Sequence, residues 1–193
     1  MMLRSFIAIE TPLEIQKALA QAAAPLKKLL PKPLVRWVAP QNAHLTLKFL
    51  GDVSPANLEH LAEALKAEAA SHEMFSMSVG GLGAFPNPRH ARVIWLGLEA
   101  PPALIALQHW VDAAAAQLGY PMEQRPFSPH LTIGRVAQNA SSSDLQFIRG
   151  ALESTKVGIL GTIRVQAIHI FKSLLQPGGP VYTVLYTLSM KST

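Results

Sequence analysis

The chain has no cysteine among its 193 residues. Disulfides, thiolate nucleophiles and cysteine-ligated zinc or iron–sulfur centres are therefore excluded. Charged residues are sparse at 15%, against 49% hydrophobic, which is the reverse of a disordered composition and leaves enough apolar surface for a core. No segment offers about 18 apolar residues without a charge. The opening apolar run, "FIAI", ends at Glu10, too short for a secretory leader. A cytoplasmic protein with no membrane partner is the expectation. A Walker A sequence and a GxSxG elbow are also missing. "GGLGAF" (80–85) lacks the third glycine and the following helix of a dinucleotide fingerprint. Two signals remain. The length fits a single domain over 1–193, or one domain of two lobes, and the net charge of +5 draws mildly toward anionic partners.

The second half repeats the plan of the first. "SFIAIE" (5–10) reads as a strand, and residues 11–30 read as a helix with Thr11 as cap, Pro12 in its first turn and Leu13, Ile15, Leu19 and Leu26 in its apolar stripe. "LVRWVAP" and "HLTLKFLG" follow as strands, then a helix over 54–72 capped by Ser54, then "FSMSVGGLGAFP" (75–86) as a strand interrupted by glycines. From residue 91 the order recurs: strand and helix over 91–119, a strand over 127–136, a helix over 141–156 with "SSSD" as its cap, and a strand over 161–173. Shifted by 87 residues, Leu58, Leu61, Ala64 and Leu65 fall on Leu145, Ile148, Ala151 and Leu152. A last strand, 181–190, follows the "QPGGP" turn (176–180). The period is too long for a solenoid and points to an internal duplication.

One tetrapeptide occurs in both halves: "HLTL" at 44–47 and "HLTI" at 130–133. Residues i and i+2 of a strand share a face. His44 therefore lies beside Thr46, and His130 beside Thr132, while Leu45, Leu47 and Phe49, and Leu131 and Ile133, turn to the core. Two copies related by an approximate twofold would bring two His/Thr pairs to one cleft. Imidazole titrates near pH 6.5, so one ring can accept a proton from water while the other donates one to a leaving alkoxide. Each transfer is worth about 10²–10⁴ in rate. Threonine hydroxyls are short neutral donors suited to phosphate oxygens. The scheme needs no metal and no cofactor. Two histidines without a carboxylate in either motif make a poor zinc set, so a metal-dependent hydrolase is the weaker reading.

These motifs, in two similar halves, resemble those of the two-histidine (2H) phosphoesterase superfamily. Within it, "RWVAPQNAHLTLKFLGDV" (36–53), "RPFSPHLTIGRV" (125–136) and the opening "RSFIAIETP" are similar to the RNA 2′,3′-cyclic phosphodiesterases, formerly named 2′-5′ RNA ligases. The resemblance spans nearly the whole chain. It implies an α+β fold of two lobes, a bilobal duplication in which antiparallel sheets line a central groove and helices lie outside. It also implies metal-independent hydrolysis of RNA 2′,3′-cyclic phosphate ends, on tRNA-like or small oligoribonucleotides, to 2′-phosphomonoesters. His44 is then the acid to the leaving 3′-oxygen and His130 the base that activates water, although the residues alone leave that order open. The alternatives are the reverse reaction, a 2′-5′ RNA ligase, and an RNA-end binding module without turnover. A monomer is expected.

Further substrate contacts follow from position. Lys48 shares the face of His44 and Thr46 if the strand is regular. At about 3.3 Å per residue it is roughly 13 Å from His44, within reach of a neighbouring RNA phosphate rather than the reacting one. Arg36 and Arg125 precede the two motifs at similar distances and are candidates for positive charge at the groove, with surface salt bridges as the competing role. Arg135 has the wrong parity for the cleft unless a bulge intervenes. Phe127 and Trp37 are read as core before base-stacking, and His60, His72, His90, His109 and His169 as surface or core residues.

Overall fold

The computed structural model describes residues 2–31, 33–177 and 179–192. The elements run β1 (Leu3–Glu10), α1 (Leu13–Leu29), β2 (Val35–Trp37), β3 (His44–Val53), α2 (Pro55–Ala69), β4 (Phe75–Phe85) and β5 (Val93–Leu98). They continue α3 (Pro102–Gln117), β6 (His130–Val136), α4 (Ser142–Ser154), β7 (Ile159–Val165), β8 (Ala167–Gln176) and β9 (Gly179–Ser189). Residue 178 of the expected "QPGGP" turn lies outside the described residues.

The strands form two antiparallel sheets, ordered β3-β1-β8-β9 and β2-β6-β5-β4-β7. Each sheet mixes the two halves of the sequence. β2 leaves the first half to pair with β6, and β8 and β9 return from the second half to pair beside β1. The stretch 161–173, expected as one strand, is divided at Gln166: β7 ends in one sheet and β8 begins in the other.

The helices bury stripes at helical spacing. These are Ile15, Leu19, Ala23 and Leu26 in α1, Leu58, Leu61, Leu65 and Ala69 in α2, Leu104, Leu107, Val111 and Ala115 in α3, and Ile148, Ala151 and Leu152 in α4. Leu13, assigned to the α1 stripe from the sequence, is instead exposed. Ser54 caps α2 by accepting from the Asn57 amide at 3.2 Å, and Ser141 with Asp144 forms a full capping box on α4. Thr11 does not cap α1. Pro12 takes that place, and the Thr11 hydroxyl donates at 2.6 Å to the Ala43 carbonyl, next to the first motif.

One core joins both halves, with Ile7 and Leu45 from one sheet and Ile94 and Leu131 from the other. A second, smaller cluster of Phe6, Ala8 and Phe171, with Tyr182 against it, occupies the opposite face of the first sheet. β3 and β6, the two motif strands, belong to different sheets and contact each other, so both sheets present one face to a common cleft. Helices pack on the other side, α2 against β8 and β9, α3 against β3 and α1 against β7. Among the described residues no helix is long and apolar enough to cross a membrane.

Candidate active site

Each motif histidine is the first residue of its strand, His44 of β3 and His130 of β6. Each follows a short irregular segment that leaves a carbonyl two residues back within reach. His44 Nδ1 is 2.8 Å from the Asn42 carbonyl, and His130 Nδ1 is 2.8 Å from the Ser128 carbonyl. A carbonyl only accepts, so both Nδ1 atoms carry the hydrogen and donate it. Nε2 of each ring then offers a lone pair when the ring is neutral and an N–H when it is charged. The surrounding walls are aromatic. His44 stacks on Phe6 with centroids 4.6 Å apart and meets Tyr182 edge-on at 5.0 Å. His130 meets Phe85 edge-on at 4.8 Å.

Neither strand stays regular past its threonine. In β3 the partners run Ala8↔Thr46 and then Ile7↔Lys48, so Leu47 is the extra residue. In β6 they run Trp95↔Thr132 and then Ile94↔Gly134, so Ile133 is the extra residue. A one-residue insertion exchanges the faces of everything after it. His44, Thr46 and Phe49 thus line the cleft, matched on β6 by His130, Thr132 and Arg135. Phe49, placed in the core by simple alternation, is 67% exposed and lies 6.0 Å from Phe6. Arg135 reaches the groove through the insertion that its parity required. Gly134 is needed here, because a Cβ would stand 2.8 Å from Val35 and 3.1 Å from Trp37 and push β2 away.

The chain is similar to known proteins over nearly its whole length. A family model described as LigT like Phosphoesterase matches the chain twice, over residues 9–95 and 96–182. The chain belongs to the LigT-like phosphoesterase family. An RNA 2′,3′-cyclic phosphodiesterase of Methanothermobacter thermautotrophicus is 34% identical over 95% of this chain and 96% of its own length. One from Thermotoga maritima is 33% identical over 95% and 94%. Among solved structures, Escherichia coli LigT complexed with 3′-AMP superposes with a TM-score of 0.77 at 28% identity, covering 98% of this chain and 99% of that one.

The LigT-like site differs from its sequence outline at two residues, Lys48 and Arg125. Lys48 faces away from the groove: the Leu47 insertion turns it to the back of the sheet, where it forms a buried ion pair with Asp112 of α3 and also donates to the Pro121 carbonyl. Arg125 points into solvent, its side chain 90% exposed and 3.7 Å from Glu123. Arg36 does face the groove side, opposite Arg135 across the β2–β6 pair. Phe127 and Trp37 pack against the core.

Residues absent from the motif outline also line this cleft. Phe171 comes from β8 and Tyr182 from β9, and no local signal in the sequence indicates that β8 pairs with β1 and carries β9 with it. His169 shares a row with Thr46 through Ala8 and sits 3.1 Å from the Thr187 hydroxyl.

Burial is the main influence on both motif imidazoles and holds their pKa values below the usual 6.5. The hydrogen bonds to Asn42 and Ser128 oppose it, and the positive charge of Arg135 adds to it at both rings. The charge of His130 also bears on His44 and lowers it further. Among the described residues, no three His, Asp or Glu side chains gather into a metal-binding group.

Proposed function

We propose that this protein hydrolyses RNA 2′,3′-cyclic phosphate ends to 2′-phosphomonoesters, using His44 and His130 as acid and base, and that the whole of 1–193 works as one catalytic domain in the cytoplasm. The observation that carries the reading is the pair of imidazoles on contacting strands, each tied through Nδ1 to a backbone carbonyl and each left with Nε2 for chemistry. The printed activity of the relatives supports the substrate class.

In the proposed step a water oxygen attacks phosphorus while neutral His130 takes its proton at Nε2. The bond from phosphorus to the 3′-oxygen breaks, and protonated His44 delivers its Nε2 proton to that oxygen. The products are a 2′-phosphate and a free 3′-hydroxyl, and the two histidines have exchanged protonation states. Thr46 and Thr132 donate to the non-bridging oxygens, where negative charge grows in the transition state. Arg135 adds a full positive charge on the same side. The terminal base stacks on the shelf formed by Phe49 and Tyr182, since every base presents an apolar face to an aromatic ring.

An oligoribonucleotide with a cyclic end, incubated with and without a chelator, tests the reading. Equal turnover in both arms is expected. Loss of turnover on chelation would assign the chemistry to a metal, and binding without turnover would leave an RNA-end binding module.

The rate should be bell-shaped in pH, because the base must be neutral and the acid charged. Burial and Arg135 depress both imidazoles, so the optimum of kcat/KM should lie below pH 6.5. Arg135→Gln removes one depressing charge from both rings. Both pKa values then rise, and the bell moves toward higher pH even as the maximum falls. A flat profile between about pH 5 and 8, or an unmoved bell in the variant, would contradict the pair.

A further inference from the structure

At the far end of β6 from His130, three arginines border an open cavity of about 480 Å³, lined by Arg36, Arg92, Val93, Arg135, Val136 and Gln138. That is the size of a small-ligand site, and none of its lining residues is acidic. Arg36 and Arg135 stand opposite each other in the β2–β6 register, a juxtaposition of like charge that weakens a sheet when left uncompensated. Arg92 closes the third side. Its Nη1 donates to the Gln138 carbonyl at 3.2 Å and the Ala137 carbonyl at 3.4 Å, which fixes the guanidinium at the mouth. Among the described residues none of the three is salt-bridged. Three unneutralised guanidiniums around open space form a site for an anion.

The position of the cavity decides which anion. Arg135 is the member whose charge reaches both motif imidazoles. Arg135 lies five positions after His130, one of them the inserted Ile133, so the two backbones are roughly 13 Å apart at 3.3 Å per regular step, and the Arg135 side chain reaches back along the groove. The Arg36 and Arg92 end of the cavity is therefore set apart from the reacting phosphate, and Arg135 stands between the two. A cyclic phosphate closes the 3′ end of a strand, so all remaining RNA lies on its 5′ side.

We infer that the Arg36 and Arg92 end of this cavity holds an internucleotide phosphodiester on the 5′ side of the terminal nucleotide, with Arg135 between it and the reacting phosphate. The protein then selects oligoribonucleotide ends over cyclic mononucleotides. This inference rests on the cyclic phosphodiesterase reading above and adds a second anion site to it.

The test is kcat/KM for a 2′,3′-cyclic mononucleotide and for a short oligoribonucleotide with a cyclic end, each over a salt series, in the intact chain and in Arg92→Gln and Arg92→Lys. The wild-type protein should prefer the oligomer. Arg92→Gln should lower the oligomer-to-mononucleotide ratio about tenfold and flatten the salt dependence on the oligomer by about 0.7 in log–log slope, the share of one single-strand phosphate contact. Arg92→Lys should restore the slope because it restores the charge. A merely structural role at the Ala137 and Gln138 carbonyls would lower both substrates together. That result, an unchanged ratio and slope, or a wild-type protein indifferent to chain length would overturn the inference. If the wild-type protein turns over neither substrate, the phosphodiesterase reading fails. The salt dependence of oligoribonucleotide binding to wild type and Arg92→Gln then decides the cavity alone: a slope reduced in the variant supports it, and equal slopes reject it.

Discussion

His130→Ala is expected to lower kcat/KM on an RNA 2′,3′-cyclic end by about 10²–10⁴, and His44→Ala by a similar factor. The double variant should be little worse than either single one, because proton removal and proton delivery serve one transition state and losing either disables both. Folding should survive, since each ring is only half-buried and its backbone neighbours hold their places through the strand ladders. Steady-state kinetics on the folded variants decides the matter. A loss below tenfold for either histidine, or losses that multiply in the double variant, would show that the rings do not act on one phosphate.

Lys48→Ala should have the largest effect on stability, about 3–5 kcal/mol, because it strands the Asp112 carboxylate in the interior. The two side chains are 7% and 6% exposed. The pair also ties the segment before the second motif to the first motif strand. Lys48 donates to the Pro121 carbonyl, and Asp112 accepts from the Glu123 amide at 3.0 Å. Five residues after Glu123 comes Ser128, whose carbonyl orients His130. Breaking the pair should therefore lower kcat as well as the denaturation midpoint. Lys48→Met with Asp112→Leu should recover most of the stability, since no charge is left buried. Denaturant unfolding of both variants beside the wild-type protein is the check. A surface lysine bound to an RNA phosphate would instead leave stability within about 0.5 kcal/mol and make KM more salt-dependent.

The contrast at Lys48 shows where sequence reading reaches and where it stops. Two-residue periodicity correctly places His44 beside Thr46 and His130 beside Thr132, because both pairs precede any irregularity in their strands. It fails one residue later. Leu47 and Ile133 are inserted opposite single partners, and nothing in "LTLKF" or "LTIGR" marks an insertion except Gly134, whose missing Cβ becomes meaningful only against Val35 and Trp37. Three assignments changed sides for that one reason: Lys48 to the interior, Phe49 to the cleft and Arg135 to the groove.

The fold follows the same division. The duplication, the helix caps at Ser54 and Ser141 and the apolar stripes are local and legible. The exchange of β2 against β8 and β9 between the sheets is a matter of long-range pairing, and it brings Tyr182 and Phe171 to His44. Arg92 belongs to no motif, and its meaning comes only from the two arginines that the β2–β6 pairing sets beside it.

The central claim is that His44 and His130 address one phosphate from opposite sides in a fixed order. The most direct measurement is the ³¹P NMR spectrum of the product formed from an oligoribonucleotide with a 2′,3′-cyclic end. The account predicts a single 2′-phosphomonoester resonance in the wild-type reaction and a persisting cyclic phosphate resonance with either alanine variant. A 3′-phosphomonoester, or a mixture of the two isomers, would contradict it.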